Sequence, residues 1–347
     1  MRPSRLLVGD VALHVERERI AVRQHAAERE EDAGHPEPGV GTAGVAAHGP
    51  SARGTPAPSA RSAPRGVAHG RDLSRSRGER VCVVAHRASC GGDRSGRVRG
   101  RTTPVIQCAM NGSWTRDHHP EVPVSLEQVV ADAVACHAAG AASVHFHPRR
   151  ADDGRETLAA ATHDAVVAAV RAAAPDLEIS CSTQEDIDLG GAADRAAAIR
   201  AWTSPPDVVS LNLEQDDALT LGAALLERGV GIEAGIFTLK DAERLLGAPW
   251  AGDVRRVLVE VIYAHEPDDA VALARAIDAR TAELGRPRLW HGDGRASWAV
   301  VDAGIAAGRD VRVGLEDAIV ARDGGRAPGN AAQVRDTVAR AAAAHAG

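Results

Sequence analysis

Lysine is nearly missing from this chain: Lys240 is the only one, and every other basic residue is arginine. That skew points to a GC-rich genome, so the abundance of arginine does not by itself argue for an arginine-based function. Aromatic residues are equally scarce, at 2%, which leaves any core to be built from Ala, Val, Leu and Ile. The five cysteines (Cys82, Cys90, Cys108, Cys136 and Cys181) show no CxxC pairing and no regular spacing. This excludes a disulfide framework and reads as reduced thiols. No apolar run approaches the ~18 residues that span a bilayer. The N-terminus also lacks the basic-then-apolar order of a secretory signal. The expectation is a cytoplasmic, soluble chain with no membrane partner.

What remains divides in two. Residues 1–103 carry 18 arginines against 11 acidic residues, a net +7, so residues 104–347 carry −13 of the overall −6. The first region holds stretches such as "GPSARGTPAPSARSAPRG" with almost no large apolar side chains. Such a segment buries too little surface to offset its ordering entropy and is expected to be disordered. The favoured reading is a start codon placed too early, with upstream DNA translated as an extension. The alternatives are a natural extension without function and a basic tail that touches nucleic acid. The −13 charge of the second region argues against a nucleic-acid partner.

From Pro104 the texture changes. Short β-rich runs alternate with Ala-rich helical stretches eight times. The expected strands cover 105–110, 142–147, 177–182, 207–212, 231–237, 256–261, 287–291 and 309–315. The expected helices lie near 125–139, 157–174, 191–203, 216–228, 239–247, 267–284, 295–307 and 329–345. Ser125 opens the first of these as a helix start. Eight strand–helix units over 104–347 have the rhythm of a (β/α)8 TIM barrel. A doubly wound sheet is the rival, but it more usually stops at five or six strands.

In such barrels chemistry collects where strands end. Those ends here are Asn111, His145 and His147, Ser182 and Thr183, Asn212 and Glu214, Glu260, His291, and finally Glu316 and Asp317. His145-Phe146-His147 is the sharpest element. Alternation projects both imidazoles to one face and sends Val144 and Phe146 toward the helices, so the pair can grip one ion. The bland reading is two hydrogen-bonded histidines in a polar mouth. In "RVGLED" the residues Arg312, Gly314 and Glu316 share one parity, which makes Glu316 the natural third ligand and places Asp317 beside it as a base. Arg312 would be costly inside a barrel unless it faced carboxylates or an anionic substrate. Glu233 and Glu260 read either as site residues or as strand carboxylates paired with arginines. His118 and His119 fall in the first βα loop and are expected to face solvent.

With those residues in place, the chain from about Pro104 to Ala346 resembles the beta-keto acid cleavage enzymes. The resemblance rests on "NG" after strand one, "HPEVPVSLEQVVADAVACHAAGAASVHFHPR", "ISCST", "PDVVSLNLE", "GVGIEAGIF", "VRVGLED" and "GNAAQVRDTVARA". It implies a zinc ion on His145, His147 and Glu316, with Arg312 and Asp317 catalytic and Ser182 at the substrate. Thr183, Asn111, Asn212 and His291 are the further expected substrate contacts. The implied reaction is a retro-Claisen exchange in which a β-keto acid and acetyl-CoA give a new CoA ester and acetoacetate, carried out by a homotetramer. The alternative is a zinc-dependent aldolase or hydrolase acting without CoA. Several positions depart from the family pattern. Gln184 and Glu185 follow the Ser-Thr of strand three, and Ala318 follows "RVGLED". Ser113, Trp114 and Thr115 stand where the prototype grips a substrate amine with a carboxylate, so an amino-substrate is not expected here.

Overall fold

The computed structural model of the protein describes residues 104–262 and 266–346; the expectations for 1–103 lie outside them. The described residues form eight parallel strands closed into one barrel: β1 (Ile106–Ala109), β2 (Ser143–Phe146), β3 (Glu178–Ser182), β4 (Val208–Asn212), β5 (Gly231–Ile236), β6 (Arg256–Val261), β7 (Arg288–Gly292) and β8 (Asp310–Val313). Helices follow in alternation: α1 (Leu126–Ala138), α2 (Ala160–Ala173), α3 (Arg195–Ala201), α4 (Ala218–Glu227), α5 (Leu239–Leu246), α6 (Pro267–Arg280), α7 (Ser297–Ala306) and α8 (Asn330–Ala346). This is the expected (β/α)8 barrel, and its closure removes the doubly wound alternative. Each strand centre falls inside its expected span; most ends are shorter by a residue or two, β6 matches its span, and β7 runs one residue past it, to Gly292. Among the described residues no helix is long and apolar enough to cross a membrane.

Local chemistry explains the helix starts. Ser125 caps α1 by accepting from the Gln128 N–H, and the Gln128 side chain accepts from the Ser125 N–H in return, a reciprocal capping box. Thr238 and Asp241 repeat the arrangement at α5.

The apolar core lies outside the barrel wall, between strands and helices. Val144, Phe146, Ile179, Val209, Leu211, Ile232, Val257, Val259 and Val311 all face outward into it. The inward parity is different. Gln107, Ser143, Ser180, Glu233, Arg256 and Arg312 are all buried there, where barrels of this kind more often stack branched aliphatics. Glu233 and Arg256 form a buried ion pair (2.7 Å), so the sequence's second reading of Glu233 holds.

Closure joins β1 to β8, with Ile106, Gln107 and Cys108 opposite Val311, Arg312 and Val313. At the end of β8 the backbone of Gly314 adopts φ +152°, and a Cβ there would sit 1.9 Å from the Ala109 carbonyl oxygen. Only glycine permits that approach. Gly314→Ala is therefore expected to cost about 3 kcal/mol or more and to lower Tm by roughly 6 °C or more in thermal unfolding. A Tm within 2 °C of the parent would show that the seam yields freely.

Candidate active site

Strand β2 delivers His145 and His147 to the mouth of the barrel, where they meet Glu316 from the turn after β8. The Nε2 atoms of both histidines lie 3.7 Å from the same oxygen, Glu316 Oε1. One ligand atom from each of the three residues fits within a 4.8 Å span. The two rings stand edge to face with centroids 5.3 Å apart, closer than the ~7 Å repeat along an extended strand.

The donors are set for a cation. His147 directs Nδ1 to Glu156 Oε2 (2.6 Å), and His145 directs Nδ1 to Ser180 Oγ (2.9 Å). Carboxylates accept only, so the His147 proton sits on Nδ1 and its Nε2 lone pair faces inward. Burial, against the pull of Glu316, holds the His145 pKa down to about 4, so that ring is neutral. Burial also opposes charge on His147, but Glu316 and Glu156 outweigh it and raise its pKa; a metal at Nε2 would compete with the second proton of the charged ring and leave the Nδ1 proton facing Glu156. Glu316 Oε2 is buried without a hydrogen-bond partner. Two inward imidazole nitrogens and a carboxylate with one idle oxygen fit a metal ion and suit nothing apolar.

Arg312 stands beside this cluster. It donates to Glu316 Oε1 (2.7 Å) and, through Nη2 and Nε, to both oxygens of Asp317 (2.8 and 3.1 Å). Strand alternation would put Glu316 and Asp317 on opposite faces. Both reach Arg312 because β8 ends at Val313 and the chain turns at Gly314. Parity thus places Arg312 correctly, but the turn, not parity, places Glu316. Burial opposes ionisation of Asp317, yet Arg312 and then His291 outweigh it and hold its carboxyl well below the usual carboxylate range. His291 lies 3.3 Å from Asp317 Oδ1 and 3.4 Å from Glu260 Oε2. Burial and Arg312 disfavour its charged form, but the two carboxylates prevail and its pKa rises to about 9.

The remaining sequence-derived residues divide. Asn111 is buried and spends its amide on backbone, accepting from the His147 N–H (2.9 Å) and donating to the His147 and Pro123 carbonyls. It shapes the end of β2. Ser182 accepts from the Gln184 N–H, and Thr183 donates to the Ser210 carbonyl (2.8 Å); both line the rim with local bonds. Asn212 shares with Glu260 the space left by the missing side chain of Gly235. His118 is exposed as expected, but His119 is buried, with Nε2 2.9 Å from the Ala327 carbonyl. That contact ties the first βα loop to the segment before α8, a pairing with no sequence signal.

Glu156 and Ser180 went unnoticed in the sequence. Ser180 shares the parity of Ser182 and pairs in register with His145, so alternation could have found it. Glu156 reaches His147 through a turn that pairs it with Arg149, which no periodicity reveals.

The family profile for beta-keto acid cleavage enzymes matches residues 104–346, the whole of the barrel. The chain belongs to that family. It is accordingly an enzyme that cleaves β-keto acids. A similar protein is the 3,5-dioxohexanoate:acetyl-CoA acetone transferase of Paraburkholderia graminis, 28% identical over 280 residues, 67% of this chain and 87% of that one. Another is the 3-keto-5-aminohexanoate cleavage enzyme of Fusobacterium nucleatum subsp. nucleatum, 26% identical over 61% of this chain and 82% of its own length. Among solved structures, the binary complex of ObcA with oxaloacetate superposes with a TM-score of 0.50 at 21% identity, covering 62% of each chain. This chain thus spans less than two thirds of ObcA, and at that identity the likeness is one of fold.

Proposed function

We propose that this family member catalyses acyl exchange between a β-keto acid and acetyl-CoA, yielding a new CoA ester and acetoacetate, with zinc held by His145, His147 and Glu316. The observation that carries the reading is the meeting of those three donors with Arg312 and Asp317 at one barrel mouth. The names of the P. graminis and F. nucleatum relatives, a CoA-dependent transferase and a keto acid cleavage enzyme, support it.

A zinc ion in that position supplies Lewis-acid polarisation of a keto oxygen. The chain's own groups do the rest. Arg312 offers a planar fork to the substrate carboxylate. Before substrate arrives that fork is spent on Asp317 and Glu316. A carboxylate that draws on Arg312 therefore weakens the interaction that depresses the Asp317 pKa. Asp317 becomes the stronger base when a proton must be taken from the carbon between the two carbonyls. That carbon then bonds to the acetyl carbon of acetyl-CoA, and CoA leaves as thiolate. The thiolate takes the original acyl group as the old carbon–carbon bond breaks, and the proton held on Asp317 returns to the product. His291, between Asp317 and Glu260, keeps the Asp317 carboxylate oriented and its charge balanced. Trp114 donates its indole N–H to the Glu316 carbonyl (3.0 Å) and leaves its ring partly exposed. The first loop thus offers an apolar wall to the acyl group, which favours substrates without an amine.

The test is a panel of β-keto acids with acetyl-CoA carrying a 13C-labelled acetyl group. The expected result is label in acetoacetate and an unlabelled CoA ester of the substrate's acyl chain. Cleavage that proceeds equally without acetyl-CoA would replace this reading with the aldolase or hydrolase.

A further inference from the structure

The two histidines of the site are supported unequally. His147 has a carboxylate, Glu156, directly on Nδ1. His145 has instead a serine, and the serine leads inward. Ser180 Oγ donates to Glu233 Oε2 at 2.5 Å. The other oxygen of Glu233 accepts from Gln107 Nε2 and from Arg256 Nε, both at 2.7 Å. Arg256 in turn pairs with Glu178 at the N-terminal end of β3. A line of polar groups therefore runs up the inside of the barrel from Glu178 to the metal-facing imidazole.

We infer that Glu233, acting through Ser180, is the remote carboxylate that fixes the tautomer and orientation of His145, and is a positioning residue for metal binding. The inference rests on the reading of His145, His147 and Glu316 as the metal site. Donor accounting carries it. Ser180 has one hydroxyl proton, and Glu233, ionised beside Arg256, has none to give. The proton of Ser180 is committed to Glu233, so toward His145 its oxygen acts as acceptor. His145 must then carry its own proton on Nδ1, and its Nε2 lone pair points at Glu316. With the opposite tautomer, Ser180 would have to turn its proton to His145. A fully buried carboxylate oxygen would then lose its partner.

Stability does not account for the arrangement. Buried ion pairs are commonly matched or bettered by well-packed apolar residues, and apolar filling is the usual content of this space. Glu233 and Arg256 sit in the barrel interior at a desolvation cost, and besides Gln107 and Glu178 they hold one hydroxyl and, through it, one imidazole of the site. The route also follows the barrel: His145 lies opposite Ser180 on the neighbouring strand, and Glu233 on β5 reaches across the interior, past β4, to Ser180 on β3. Barrel geometry itself thus sets the reach.

The experiment measures zinc affinity of the full chain by chelator competition, with the absorption spectrum of the cobalt-substituted protein as a second readout. Ser180→Ala leaves the Glu233–Arg256 pair intact. It is expected to weaken zinc binding roughly 10- to 100-fold and to shift the cobalt bands, with the melting temperature of the metal-free protein little changed. Ser180→Thr, which keeps the hydroxyl, is expected to restore affinity to within about threefold of the parent. Glu233→Gln should follow Ser180→Ala; if it does not fold, Ser180→Ala decides. Parental zinc affinity and cobalt spectrum in folded Ser180→Ala would overturn the inference while leaving the metal site standing. A parent chain that binds neither zinc nor cobalt would overturn the metal site itself, and the inference with it.

Discussion

Substituting alanine for His147 is expected to take zinc content from about one ion per chain to near zero and to cut turnover by roughly 10³-fold or more. The second figure follows from several kcal/mol of Lewis-acid stabilisation at about 1.4 kcal/mol per decade. His145→Ala should behave alike, because both Nε2 atoms converge on one Glu316 oxygen and two remaining ligands hold zinc poorly. Glu316→Gln should weaken zinc binding less completely, since the amide oxygen still faces the two imidazoles. Elemental analysis of protein purified without chelator, together with turnover after zinc addition, checks the series. A parent protein free of transition metal, whose turnover is indifferent to added zinc, would refute the assignment.

The residue next to that ligand should fail in a different way. Asp317→Asn keeps the size of the side chain and one acceptor for Arg312, so zinc content is expected to survive while kcat falls roughly 10²-fold or more. Arg312→Lys keeps the charge but loses the fork that now spans Glu316 and both oxygens of Asp317. It should also retain zinc and lose activity. Truncating Arg312 to alanine is a poorer probe, because it strands two buried carboxylates at a cost of about 3–5 kcal/mol. If Asp317→Asn turned over near the parental rate with full zinc, the base would have to be another group. His291, 3.3 Å from Asp317, would be next in line.

The fold was legible because its signals are local and repeated. Eight apolar runs alternating with Ala-rich stretches leave few arrangements open, and Ser125 marked the first helix correctly. His145 and His147 were legible because alternation along a strand is rigid. Glu316 was named for a reason only half right: Arg312 obeys the parity argument, but the Gly314 turn brings Glu316 and Asp317 to the mouth together. The groups behind the site were hidden for different reasons. Ser180 lay one strand over from His145, within reach of a parity argument. Glu156 depends on a turn from 149 to 156, and His119 on a contact with Ala327 across 208 residues. Loop conformations of that sort leave no period in the sequence.

The seam between β1 and β8 sets a clock on biosynthesis. Val105 donates its N–H to Asp310 across 205 residues of intervening chain, and Asn330 holds the finished joint from both sides, bonding the Met110 carbonyl and the Leu315 N–H. At about 5–20 residues per second a ribosome needs roughly 10–40 s to travel that distance. Throughout that interval the outer edge of β1 has no strand to pair with, and open edges recruit other chains. The nascent barrel is thus most exposed to misassembly just before its last strand emerges. Slow translation over 105–310 should lengthen that exposure.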